Sequence, residues 1–156
     1  MSIPSCLTIK KRNDLGNAIA FVYFLSPNTI SPITQSVNNG DAIKFNKYGK
    51  LAGIAWPTQT ELKFLKSGTF KIEFAMNYAN NNQPIQVALF LNNVQLIGAF
   101  GTSNPLTLGV SMLSGSYLIK LNANDVIKIV NVSNQFLIRS AGSADEIIAH
   151  LTVTEQ

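Results

Sequence analysis

The sequence predicts an all-β fold, an antiparallel sandwich built as one domain. Three observations carry that expectation. Short segments rich in β-branched and aromatic residues recur along the whole chain. Gly, Pro and Asn separate them at close spacing. No segment holds apolar residues at helical spacing over a dozen positions. With 156 residues, the chain suits a single domain that buries roughly 70% of the surface its unfolded form exposes.

Residues 1–16 read as a polar N-terminal arm with some apolar content (Ile3, Leu7, Ile9), and residues 17–156 as the folded domain. The first strand is expected at Ala18–Leu25, ended by Ser26-Pro27-Asn28 and Ser31-Pro32. Asp41–Asn46 follows an Asn-Asn-Gly turn. Leu51–Trp56 and Thr60–Leu65 precede the turn Lys66-Ser67-Gly68. Thr69–Tyr78 is the clearest strand: Phe70, Ile72, Phe74, Met76 and Tyr78 alternate with Lys71, Glu73, Ala75 and Asn77, so one face is dry and one wet. Ile85–Leu91 and Val94–Phe100 flank Asn92-Asn93, a tight-hairpin signal. Leu106–Leu113, Ser116–Leu121, Asp125–Val132, Phe136–Ser140 and Glu146–Thr154 complete the series. About ten strands in a domain of this size suit a jelly roll, an antiparallel sandwich of two sheets. The turn asparagines are expected to tolerate left-handed backbone angles.

Two segments depart from one-sided patterning. In "AIAFVYFL", Ile19, Phe21, Tyr23 and Leu25 alternate against Ala18, Ala20, Val22 and Phe24. In Ile85–Leu91, Ala88 and Phe90 make the second face apolar as well. A sandwich strand should have one inner and one outer face. A covering loop, an apolar ligand or another subunit could occupy the second face. Another subunit is the favoured occupant, because two strands show the pattern and large exposed apolar patches usually mark interfaces. Phe21, Tyr23, Phe90 and Tyr117 are the expected interface contributors.

The charged fraction is only 13%, against an ordinary ~25%. Few charges and many amides suggest either a hard, weakly charged surface or one largely covered by other subunits. The net charge of +4 does not point to nucleic acid: Arg12 and Arg139 are the only arginines, and the one basic cluster, Lys10-Lys11-Arg12, falls in the arm. The lone Cys6 cannot form an internal disulfide. It is either an unremarkable thiol or a cross-link between neighbouring subunits. Met1 to Asn13 holds no apolar stretch adequate for a signal peptide, and no run approaches the length of a membrane span. Synthesis in the cytosol is therefore expected, with any outer location reached by another route.

Several stretches together resemble the tumour-necrosis-factor/complement globular-head superfamily. They are "GDAIKFNKYGKLAGIAWPTQTELKFLKSGTFKIEFAMNY", "VALFLNNVQLIG", "LIKLNANDVIKIVNVS" and the closing "IIAHLTVTEQ". The shared pattern is a Phe-Asn-x-x-Gly turn (Phe45, Asn46, Gly49), a Gly-aromatic strand opening (Gly68, Phe70), the "ALFLN" hairpin, and a strand pair carrying Leu121, Asp125, Ile127 and Ile129. Within that superfamily the sequence is most similar to the C-terminal domain of collagen-like exosporium glycoproteins of bacterial spores, the BclA type. The resemblance covers about residues 18–154. It implies a ten-stranded antiparallel, TNF-like jelly roll that forms compact homotrimers around an apolar axis, and a place on the spore surface, in the exosporium or an appendage. The Gly-X-Y stalk of such proteins is missing from this sequence. An anchor is then expected from another protein or from the arm, through which other spore-surface proteins could be engaged.

No catalytic set is legible. The single histidine, His150, alternates against Ile147, Ala149, Leu151 and Val153, so it should face away from the core or into an interface rather than act as a base. There is no G-x-S-x-G elbow. Asp41, Asp125, Asp145 and Glu146 are isolated or adjacent only to each other, so no metal site is expected. Glu61 and Glu73 are the only in-strand carboxylates available as a pair. Trp56, before Pro57, is expected to plug the core or an interface. The expectation is a non-enzymatic, cofactor-free structural subunit that self-assembles. The alternative is a trimeric binding head that recognises a glycan or receptor with its loops, through Asn80, Asn81, Asn82, Thr102 and Asn104.

Overall fold

The computed structural model describes residues 17–26, 35–79, 83–96, 110–139 and 146–156, and the backbone of 101–103. It contains thirteen strands and no helix among those residues. They are β1 (Ile19–Ser26), β2 (Gln35–Val37), β3 (Lys47–Ala52), β4 (Ile54–Thr58), β5 (Glu61–Phe64), β6 (Gly68–Ala79), β7 (Ile85–Leu91), β8 (Val94–Gln95), β9 (Gly101–Ser103), β10 (Ser111–Leu121), β11 (Val126–Asn131), β12 (Phe136–Ile138) and β13 (Glu146–Glu155).

The strands form two antiparallel sheets. In the first, β3, β1, β13, β6 and β10 lie side by side. β6 is long enough to pair with β13 along residues 70–76 and with β12, and through it β2, at Tyr78 and Ala79. The second sheet runs β4, β5, β11, β7, with β8 and β9 sharing the far side of β7. Between them lies one core. Phe70, Ile72, Phe74, Met76 and Tyr78 enter it from β6, Leu62 and Phe64 from β5, and Ile85, Val87 and Leu89 from β7. All are at most 1% exposed, as the alternation of β6 requires.

Three expected boundaries shift, and one residue changes face. Leu51–Trp56 straddles Gly53, whose φ of +64° is a left-handed angle that ends β3 and starts β4 in the other sheet. Asp41–Asn46 forms only a single bridge, Ala42 to Val130. The expected break between Leu113 and Ser116 does not occur: β10 runs through Gly115 in unbroken register with β6. Ile147 was expected on the core face. It is instead 43% exposed, and Ile148 is buried, because a bulge opposite Phe24 and Leu25 re-phases the start of β13.

The turns follow their chemistry. Asn92, Asn93 and Asn124 are the non-glycine residues with positive φ among those described, as their short amide side chains allow. The Asn92 amide donates to the Asp125 carboxylate at 2.8 Å, and its carbonyl oxygen accepts from the Val126 N–H at 2.9 Å. That ties the β7–β8 hairpin to the start of β11.

Candidate functional site: an aromatic face on the first sheet

The two strands with apolar second faces differ in structure. On β1 the small residues Ala18, Ala20 and Val22 point inward with Phe24 and are buried, while Ile19, Phe21, Tyr23 and Leu25 are only half-buried on the outer face. β1 lies beside β13, whose alternation places His150 and Thr152 on the same outer face, opposite Tyr23 and Phe21. The Phe21 and Tyr23 rings stack with centroids 5.1 Å apart, and the His150 ring sits 6.0 Å from Phe21. Leu25 and the exposed Ile147 continue the patch toward one end. Toward β6 it meets Ala75, opposite His150, and then Ser114 of β10. The result is an aromatic ridge beside small side chains. Opposite Thr152 on β6, Glu73 pairs with Lys71 at 2.7 Å.

Local sequence builds this ridge. Phe45 plugs the core at 1% exposure. Asn46 clamps the end of β1: its amide donates to the Leu25 carbonyl at 3.0 Å, and its side-chain oxygen accepts from the Leu25 N–H at 2.8 Å. Gly49 leaves room for a ring, since a Cβ there would lie 3.1 Å from Phe21 Cδ1. The Phe-Asn-x-x-Gly motif thus positions the outer aromatics. That role was not legible in the sequence, because it depends on β3 lying beside β1.

His150 is in the half-buried environment its alternation predicted. Burial holds its pKa below the ordinary value of 6.5, against a weaker upward pull from Glu73. That direction favours the neutral imidazole.

The other candidate residues are dispersed. Phe90 is half-buried on the outer face of the second sheet. There the chain covers its own apolar surface: Ala88 and Val130, neighbours across β7 and β11, are 0% and 4% exposed although they alternate away from the core. Tyr117 lies opposite Ile72 on the inner face of β10 and packs against the core edge, away from Phe21 and Tyr23. Trp56 packs against the core and meets the exposed Tyr48 ring edge-on at 5.4 Å. Glu61 and Glu73 sit on opposite sheets and both alternate outward, so they form no pair. Asp41 and Asp125 each accept a backbone N–H within their own turn, from Asn38 at 2.9 Å and Asn122 at 2.8 Å. Among the described residues no three His, Cys, Asp or Glu side chains converge as a metal site would need. No helix there is long and apolar enough to cross a membrane. Asn131, in the sequon Asn131-Val132-Ser133, is fully buried, donating to the Val37 and Asn134 carbonyls and accepting from Ser133. Cys6 and the arm, Asn80, Asn81, Asn82, Asn104 and Asp145 lie outside the described residues, as does the side chain of Thr102.

No family model and no curated protein matches the sequence. Solved structures do match the fold. Eiger TNF from S. frugiperda superposes with a TM-score of 0.67 at 9% identity, over 90% of this chain and 92% of that one. The globular domain of zebrafish complement 1qA protein gives 0.60 at 12% identity, over 90% and 96%. Murine APRIL gives 0.57 at 7% identity, over 90% and 100%. The chain has the TNF/C1q-like jelly-roll fold.

Proposed function

We propose that this protein is a non-enzymatic structural subunit that self-assembles, as a homotrimer, through the outer face of its first sheet. The observation that carries the reading is the ridge of Phe21, Tyr23 and His150. A soluble monomer gains nothing by turning its small residues inward and its aromatic ones outward on the same strand. A subunit that meets a neighbour there buries those rings. Burying one aromatic side chain contributes about 1.5–3 kcal/mol, and a stable interface removes roughly 800 Å² from each partner. The outer face of a sheet of this extent can supply that area.

The trimeric state follows from the likeness of the sequence to the globular-head superfamily and agrees with the fold. The spore surface, in an exosporium or appendage, is the location favoured by the resemblance of the "ALFLN" and Leu121–Ile129 segments to exosporium glycoproteins. Native mass measurement together with negative-stain imaging of the purified protein tests the assembly. Discrete trimers or a regular higher-order array of trimers support it, and particles of monomer mass refute it. Immunogold labelling of intact spores tests the location, and label confined to the cytoplasm of growing cells contradicts it. A glycan array probed with a multivalent preparation separates this reading from a binding head, for which a specific glycan signal would argue.

A further inference from the structure

The sheets end in several edges, and one differs from the rest. β2 and β9 are three residues long and β8 two. β4 carries Pro57 and a register shift. β3 exposes Lys47 and Lys50 within six residues. Shortness, proline, irregularity and lysine are the usual protections of an edge. β10 has almost none of them. It spans eleven residues, contains no proline, pairs with β6 in unbroken register, and carries a single charge, Lys120. Its other side has no backbone hydrogen-bond partner among the described residues, although β9 of the second sheet lies close to part of β10. Apolar groups flank that open edge on both faces: Met112 and Leu118 are 67% and 65% exposed on the outer face, and Tyr117 and Ile119 are half-buried on the inner one.

We propose that the open edge of β10 accepts residues 3–9 of a second copy's N-terminal arm as an added strand. The segment suits the edge when Pro4, which has no N–H, takes a position whose backbone faces away from β10. Ile3, Leu7 and Ile9 share one parity, so a strand would put all three on one face. The basic cluster Lys10-Lys11-Arg12 begins just after it and stays out of the pairing. Main-chain hydrogen bonds would supply affinity and the three apolar groups register, as in other strand additions.

The arm's point of departure favours a second copy as the acceptor. Ala18 is fixed by Glu155, whose carboxylate accepts the Ala18 N–H at 2.7 Å and whose own N–H donates to the Ala18 carbonyl at 2.9 Å. β1, β13, β6 and β10 follow in order, so this point is three strand spacings from β10, about 14 Å. It also lies at the end where β10 finishes, since Ile19 is opposite Thr154, Thr154 opposite Lys71, and Lys71 opposite Leu118. An arm returning from there to its own β10 would cross two strand ends and run most directly parallel to it. An arm from another copy is free to pair antiparallel, the slightly more stable arrangement. Residues 10–16 span at most about 24 Å, enough to bridge adjoining subunits. The proposal rests on the backbone edge of β10, whereas the proposed trimer contact uses the outer side-chain face of the same sheet.

Hydrogen exchange on the full-length protein tests it, compared with Leu7→Lys/Ile9→Lys and with deletion of residues 2–15. Both changes fall in residues 1–16, and near-UV circular dichroism checks that the two sheets are unaltered. The expected result is slow exchange at every second amide of Ser111–Leu121 that increases with protein concentration. Both variants should lose it by at least tenfold, and a synthetic peptide of residues 1–16 added to the deletion variant should restore it. Equal exchange in all three proteins overturns the proposal. Protection that does not vary with concentration also overturns it, because it would place the arm on its own subunit.

Discussion

β1 and β7 read alike in sequence, each apolar on both faces, yet the structure resolves them in opposite ways. On β7 the second face is closed within the chain, with Ala88 completely buried. On β1 it stays partly open, with stacked aromatic rings beside a histidine. Residue size marks the difference. Alanine and valine fill most of the inner side of β1, and the large rings on its outer side are only half-buried. β7 keeps Ile85, Val87 and Leu89 inside and buries Ala88 on its outer side, where Phe90 is half-buried. On the proposed reading, an apolar second face serves domain stability at Ala88 and assembly at β1.

The largest expected effect falls on β7. Ala88→Asp puts a carboxylate where no water reaches, and should lower monomer stability by about 4 kcal/mol, read as an earlier urea midpoint. A midpoint within error of the parent would show that Ala88 is not closed off, and the contrast between the strands would fail. Next comes Tyr23→Ala. An aromatic anchor near the centre of an interface typically costs at least about 2 kcal/mol when truncated, or roughly thirtyfold in dissociation constant. Sedimentation equilibrium should show that weakening, with the urea midpoint of the dissociated subunit shifted by less than about 1 kcal/mol.

Acid should sharpen the contrast further. His150 has its pKa lowered by burial already in the single subunit, and a second subunit closing over the ring would desolvate it further, so the unfolded chain and the dissociated subunit both bind the proton more readily than the assembled one. Its contribution is complete above the unfolded value of about 6.5 and is lost as pH falls through the lower folded value. Glu73 works against this shift; Lys71, paired with Glu73, and Lys47, opposite Tyr23, are the other charges on these strands. Assembly should weaken between neutral pH and pH 5, and His150→Asn should flatten that profile. A profile unchanged by the substitution would remove His150 from the interface. The smallest expected effect is that of Gly49→Ala. A Cβ 3.1 Å from the Phe21 ring forces that ring aside by a few tenths of an ångström. Several-fold weaker assembly with unchanged folding is the expected outcome; equal effects on both would make Gly49 a folding residue alone.

The fold was largely legible because alternation and turn chemistry act locally. β6 and β7 fell close to their expected places, and the left-handed turns fell on Asn92, Asn93 and Asn124. What was not legible depended on neighbours distant in sequence. The bulge that turned Ile147 outward arises only against Phe24 and Leu25 of β1. Continuity of β10 through Gly115 is imposed by the long partner β6. Of the expected interface residues, Phe21 and Tyr23 came together because they share a strand and a parity. Tyr117 faces inward, since its orientation follows from the register of β10 against β6.

The central claim is that the outer face of β1 meets another subunit and the outer face of β7 does not. Native mass spectrometry of the parent protein, Phe21→Asp and Phe90→Asp at one micromolar-range concentration tests it most directly. The account predicts a multiple of the 17.0 kDa subunit for the parent and for Phe90→Asp, and the 17.0 kDa monomer for Phe21→Asp. A monomeric parent, or a Phe21→Asp variant that keeps the parent's mass, would contradict it.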